Sequence, residues 1–165
     1  MSESLNETGS QWLETLLKFQ GLNAKVSGQF PDSELGDSYW LTISDSNLTT
    51  QQVEHLLGEK GEVLDSIQYL ANTTLNLGKS KEEQQAYTVE LAGYRARRTA
   101  ELQNIAAHAA EEAQATGKEF EIPSLSSAER RQVHNFLKAY DGLETFSRGK
   151  EPDRRLVVRL EQFDH

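Results

Sequence analysis

Residues 55–70 read HLLGEKGEVLDSIQYL. Two helical segments meet in them at a four-residue turn, Gly58, Glu59, Lys60 and Gly61, and a glycine at each end lets the backbone bend tightly. The second segment then offers unpaired backbone N–H groups and the positive end of its dipole at the tip of the turn. That geometry suits a phosphate or a sugar–phosphate backbone. Helix corners also use glycine for steric reasons alone, so GxxG by itself leaves both readings open.

Working outward, residues 50–57 (TQQVEHLL) form the helix before the turn, with Val53, Leu56 and Leu57 inward, and 62–75 form the helix after it, burying Leu64, Ile67, Leu70 and Ala71. Two strands are expected upstream, 24–30 (AKVSGQF) and 38–44 (SYWLTIS), joined by the turn-rich 31–37. A helix at 11–19 places Trp12, Leu13, Leu16 and Leu17 on one face, and the polar residues 1–10 read as a disordered tail. Downstream, 78–85 is a loop and 86–91 (AYTVEL) a third strand. A long helix over 94–116 stops at Gly117, and 120–123 is a short strand. Ser126 and Glu129 form an S-x-x-E capping box that opens another helix. Residues 143–148 and 154–160 read as strands joined by the turn 149–153. The expected fold class is α+β with two small modules, α-β-β-α-GxxG-α-β over 11–92 and α-β-α-β-β over 93–165, joined by the long helix.

The chain of 165 residues carries a net charge of −9, which argues at first sight against a polyanionic partner. The charge is unevenly spread. Residues 1–92 hold 5 Lys, no Arg and 14 acidic groups, whereas 93–165 hold 12 basic and 12 acidic groups and all nine arginines. Arginine's planar fork suits phosphate and stacks on bases, so its segregation sets the second half apart. With no cysteine, a disulfide framework, thiolate catalysis and cysteine-held metals are excluded. No apolar run approaches the roughly 18 residues of a membrane span, and the N-terminus lacks the basic start and apolar run of a signal peptide. The expected compartment is the cytoplasm.

In 127–140 (SAERRQVHNFLKAY), Val133, Phe136, Leu137 and Tyr140 form the apolar face. A four-residue spacing sets Arg130 and His134 only about 40° apart on its flank. Arg131 is adjacent. In the last strand Arg155 and Arg159 share one sheet face with Val157, and Arg154 and Lys150 lie in or beside the adjoining turn. Arg95, Arg97 and Arg98 crowd the first turn of the long helix, where cations oppose its dipole. That cluster reads either as a phosphate-facing edge or as ion pairing with the acidic first half.

GxxG between two helices, preceded by α-β-β and followed by a strand, resembles a type II KH domain, whose GxxG loop clamps a nucleic-acid backbone. GEKGEVLDSIQYLAN, GYRARRTAELQNIAAHAAEEAQATGK, SSAERRQVHNFL and LETFSRGKEPDRRLVV together resemble the Jag family, also called KhpB or SpoIIIJ-associated proteins, in which a KH domain is fused to an Arg-three-His (R-three-H) domain. The likeness covers residues 12–160. The N-terminal Jag domain of many members has no counterpart here, and the usually basic middle positions of GxxG are Glu59 and Lys60. The resemblance implies a bacterial post-transcriptional regulator linked to cell elongation and division. RNA-contacting residues would be Gly58, Glu59, Lys60, Gly61, Arg95, Arg98, Arg130, Arg131, His134, Arg154 and Arg155. Single-stranded RNA is the expected ligand, with single-stranded DNA as the alternative, a small KH-only protein as partner and the KH module as a homodimer surface. A protein–protein adaptor whose acidic KH half no longer binds RNA is the competing reading.

No enzyme, cofactor or metal site is expected. Gly78, Lys79 and Ser80 echo a phosphate-loop ending, but Thr73 stands where its first glycine belongs. His108 and Glu111 lack a second His–carboxylate pair. His55 and His165 read as a helix-surface residue and a chain end.

Overall fold

The computed structural model describes residues 2–31 and 37–162, residues 2–7 as backbone alone. The centre of the turn-rich connection 31–37, and His165, lie outside the described residues. Two compact units are present, Met1–Arg95 and Ala96–His165.

In the first unit the order is α1 (Ser2–Phe19), β1 (Val26–Gln29), β2 (Tyr39–Ile43), α2 (Thr50–Leu57), a 3-10 turn (Glu59–Gly61), α3 (Glu62–Leu75) and β3 (Tyr87–Leu91). The sheet runs β1-β2-β3, with β1 antiparallel and β3 parallel to β2. A parallel neighbour needs a crossover, and α2, the turn and α3 supply it. Tyr39, Leu41 and Ile43 alternate inward as their period of two requires, meeting Tyr87, Val89 and Leu91 in register. Leu13 and Leu17 of α1 and Leu64, Ile67 and Ala71 of α3 close this core.

Two expectations are corrected here. In place of a disordered tail over residues 1–10, α1 begins at Ser2. The reason lies at its second turn: Gly9 and Ser10 are buried, and a Cβ on Gly9 would lie 3.0 Å from Leu41 Cδ2. Glycine and serine there let the helix approach the sheet, which their polarity in sequence conceals. Leu70, expected in the core, is 46% exposed, because Leu64, Ile67, Ala71 and Leu75 already fill the inward stripe of α3.

Edge strand β3 is sealed by side chains rather than by another strand. Asn76 accepts from the Gln85 N–H at 2.8 Å and donates to its carbonyl at 2.8 Å. Asn72 does the same to Tyr87 at 2.8 and 2.9 Å, and Gln68 Oε1 accepts from the Val89 N–H at 2.9 Å. Carboxamides at i, i+4 and i+8, on α3 and its C-cap Asn76, thus follow the strand's two-residue repeat, blunting an edge that would otherwise invite pairing.

In the second unit α4 (Tyr94–Thr116, its first two residues in the first unit) is followed by β4 (Phe120–Ile122), α5 (Ser127–Leu137), β5 (Leu143–Arg148) and β6 (Arg155–Leu160). The sheet order is β4-β6-β5, antiparallel throughout. Ala106, Ala109, Ala110 and Ala113 of α4 carry little side chain, and they pack in one core with Val133, Leu137, Ile122, Leu156 and Val158. The capping box is present as read: Ser126 Oγ accepts from the Glu129 N–H at 3.2 Å, and Glu129 Oε2 accepts from the Ser126 N–H at 3.1 Å. Among the described residues no helix is long and apolar enough to cross a membrane.

Candidate nucleic-acid interface

At the GxxG turn both glycines are required sterically. A Cβ on Gly58 (φ 71°) would meet the Val63 backbone nitrogen at 2.8 Å, and one on Gly61 (φ 75°) would meet the Tyr94 ring at 2.5 Å. Lys60 between them holds a left-handed conformation (φ 56°, ψ 28°) that L side chains rarely adopt. Glu59 and Lys60 are exposed, so the tip presents one acid and one base beside the first turn of α3.

Arg95 and Arg98, candidate phosphate contacts in the sequence, are committed elsewhere. Ala92 (φ 52°) and Gly93 (φ 68°) turn the chain sharply after β3. Arg95 therefore folds back, Nε donating to the Val89 carbonyl at 2.6 Å and Nη1 to Asp65 at 2.9 Å. Arg98 grips Glu129 with two parallel bonds, 2.8 and 3.1 Å, and Glu101 at 2.9 Å. This bidentate pair, with both partners mostly buried, ties α4 to the capping box that starts α5. Arg95 therefore pairs with the acidic first half, one of the two readings of the cluster, whereas Arg98 pairs with Glu101 and Glu129 of its own unit.

Arg130 is the largest departure. Periodicity places it on a helix flank, yet it is 4% exposed. Its Nη1 donates to the Leu125 carbonyl at 2.7 Å and the Arg154 carbonyl at 3.3 Å, and its Nη2 to Ser127 Oγ at 3.3 Å and to the Glu151 carboxylate. A guanidinium removed from water needs such partners, and the hairpin between β5 and β6 brings them. His134 is half-buried, with Nδ1 hydrogen-bonded to Thr145 Oγ1 of β5. Residues Glu151 and Thr145 went unnoticed in the sequence, since neither stands near the Arg-x-x-x-His spacing.

The outer face of the second sheet is a lattice of both signs. Arg148 pairs with Glu119 (3.0 Å) and Glu121 (3.1 Å), Arg155 with Glu121 (3.2 Å), and Arg159 with Glu144 and Glu119 (3.5 Å). The Arg148 and Arg159 guanidiniums cover the Phe146 ring at 5.3 and 4.8 Å. Arg155 and Arg159 do share a face as expected, but glutamates neutralise it. Arg131, Lys150 and Arg154 differ: among the described residues none has an ion-pair partner. Arg131 and Lys150 are exposed, and Arg154 donates to the Gly149 carbonyl at 2.8 Å.

The model of the R-three-H domain matches residues 100–160. RNA-binding protein KhpB of Clostridium symbiosum is 25% identical over 160 residues, covering 97% of this chain and 68% of the relative. RNA-binding protein KhpB of Lactiplantibacillus plantarum is 28% identical over 162 residues, covering 96% and 47%, and that of Bacillus subtilis 27% over 114 residues, covering 68% and 54%. The chain thus spans about half the length of the latter two.

Proposed function

We propose, from the premise that the chain belongs to the Jag/KhpB family and carries its R-three-H domain, that this protein binds single-stranded RNA and performs no chemistry on it. The observation that carries the reading is the sorting of arginines in the second unit. Arg98, Arg130, Arg148, Arg155 and Arg159 are held in ion pairs. Among the described residues Arg131 and Arg154 have no such partner, and both belong to the segments that Arg130 joins. Long cations without an acidic partner are free to exchange water for phosphate, and phosphate contacts supply affinity without reading sequence. His134, half-exposed on α5 one turn after Arg130, is a further contact.

The first unit supplies a KH module whose GxxG tip meets the RNA backbone through Lys60 and neighbouring N–H groups. Lys60 holds its position at the cost of backbone strain, a pattern that concentrates at functional sites. The family resemblance extends the proposal to a cytoplasmic bacterial regulator of transcripts for elongation and division, with a small KH-only protein or a second KH module as partner.

Fluorescence anisotropy of a labelled short single-stranded RNA tests this. The variant Arg131→Ala with Arg154→Ala should weaken binding by about tenfold or more, the scale of losing charged hydrogen bonds. Unchanged affinity would refute the assignment of these cations, and no binding by the wild type would transfer the case to a protein–protein adaptor.

A further inference from the structure

Arg130 has almost no surface to show a ligand. Its guanidinium touches three separate segments: the loop before α5 through the Leu125 carbonyl, the first turn of α5 through Ser127, and the β5–β6 hairpin tip, 149–154, through Glu151 and the Arg154 carbonyl. Resting on the RNA-binding reading above, we propose that Arg130 is a positioning residue: it clasps the hairpin tip to the start of α5, and the cation it places for RNA is Arg154.

Three observations carry this. The first is burial: to meet a phosphate, Arg130 would have to abandon two carbonyls and its carboxylate from a site only 4% exposed, leaving polar groups unsatisfied. The second is shape. A planar fork with five donors can bridge several acceptors at once, whereas a lysine ammonium is a compact point charge. The third is the construction of the tip. It is closed on itself by the Asp153 N–H to the Lys150 carbonyl at 2.9 Å and by Arg154 Nη1 to the Gly149 carbonyl at 2.8 Å. The Arg130 bonds to Glu151 and to the Arg154 carbonyl therefore fix the whole small loop, and with it the backbone from which Arg154 projects. Arg131, one residue along α5, is exposed and makes none of these bonds.

A phosphate ligand and a clasp respond differently to the same substitutions. Arg130→Lys keeps the charge but cannot span the three segments. The clasp predicts that Arg130→Lys weakens RNA binding about as much as Arg154→Ala, roughly tenfold. Combining the two should add no more than about twofold, because both lesions remove one contact. The slope of log affinity against log salt should become shallower by about 0.7, one single-strand phosphate contact, in each variant and in the double. Near wild-type binding by Arg130→Lys, or losses that multiply, overturns the clasp. If Arg130→Lys does not fold, Glu151→Gln at a half-exposed position replaces it. Removing an acid beside two cations should tighten RNA binding on charge alone, so weakened binding supports the clasp and tighter binding overturns it. If the wild type binds no RNA, the functional reading fails separately. The clasp is then judged by amide hydrogen exchange at Lys150 and Arg154: faster exchange in Arg130→Lys upholds it, unchanged exchange rejects it.

Discussion

The ring of Tyr94 occupies the place where a side chain on Gly61 would stand, with Cε1 2.5 Å and the hydroxyl oxygen 2.6 Å from that position. Gly61 also holds φ 75°. Left-handed strain of about 1–2 kcal/mol and overpacking of about 1–3 kcal/mol then act together in Gly61→Ala. Urea unfolding should show a loss of at least about 2 kcal/mol. Tyr94→Ala in the same chain should remove the steric share and leave the backbone share. Equal costs in both backgrounds would contradict the contact.

Lys60 offers the opposite trade. Lys60→Gly relieves the left-handed strain of a side chain, a gain of about 1 kcal/mol, offset in part by the freer unfolded backbone. Thermal unfolding should show unchanged or raised stability while RNA affinity drops several-fold. Lower stability with full affinity would mean that Lys60 serves the fold.

The carboxamide ladder on α3 should be costly to break. Asn72→Leu keeps the branched shape but strips partners from the N–H and carbonyl of Tyr87, at about 1–3 kcal/mol per buried group left unsatisfied. Denaturant unfolding measures the loss, and the Tyr87 amide should exchange faster. A variant as stable as the wild type would show that water replaces the asparagine.

Burial raises the Tyr39 and Tyr87 hydroxyls above their ordinary value of 10.0, and at Tyr87 the neighbouring Tyr39 adds to the effect. The folded state therefore disfavours the phenolate. This stability is complete below pH 10, the unfolded value, and is lost as pH rises from there through the raised folded values. Replacing both by phenylalanine should shift alkaline unfolding, followed by circular dichroism between about pH 9 and 12, to higher pH. Coincident curves would assign alkaline unfolding to other groups.

What was legible in the sequence was local. The GxxG turn, the Ser126–Glu129 capping box and the stop at Gly117 depend on residues within a turn of one another, and each is found where it was read. The α+β element order follows from periodicity in the same way. Pairing of Arg95 with the acidic first half was one of the readings, but the individual partners of the arginines were not legible, because they are remote: Asp65 is 30 residues from Arg95, Glu129 is 31 from Arg98 and Glu151 is 21 from Arg130. Helical spacing gives the direction in which Arg130 leaves its backbone. It carries no information on the hairpin that folds over it. The roles of Asn72 and Asn76 were not legible for the same reason, since the backbone groups they seal are 9 to 15 residues away.

On this reading a chain with net charge −9 binds RNA through cations that have no ion-pair partner among the described residues, together with Lys60 of the GxxG tip. The salt dependence of wild-type affinity for a short single-stranded RNA tests this most directly. Measurable binding at moderate salt is expected, with a log–log slope of about −3, the value for Lys60, Arg131, Lys150 and Arg154 each displacing one counterion from a single strand. Absence of binding, or binding that does not respond to salt, would contradict it.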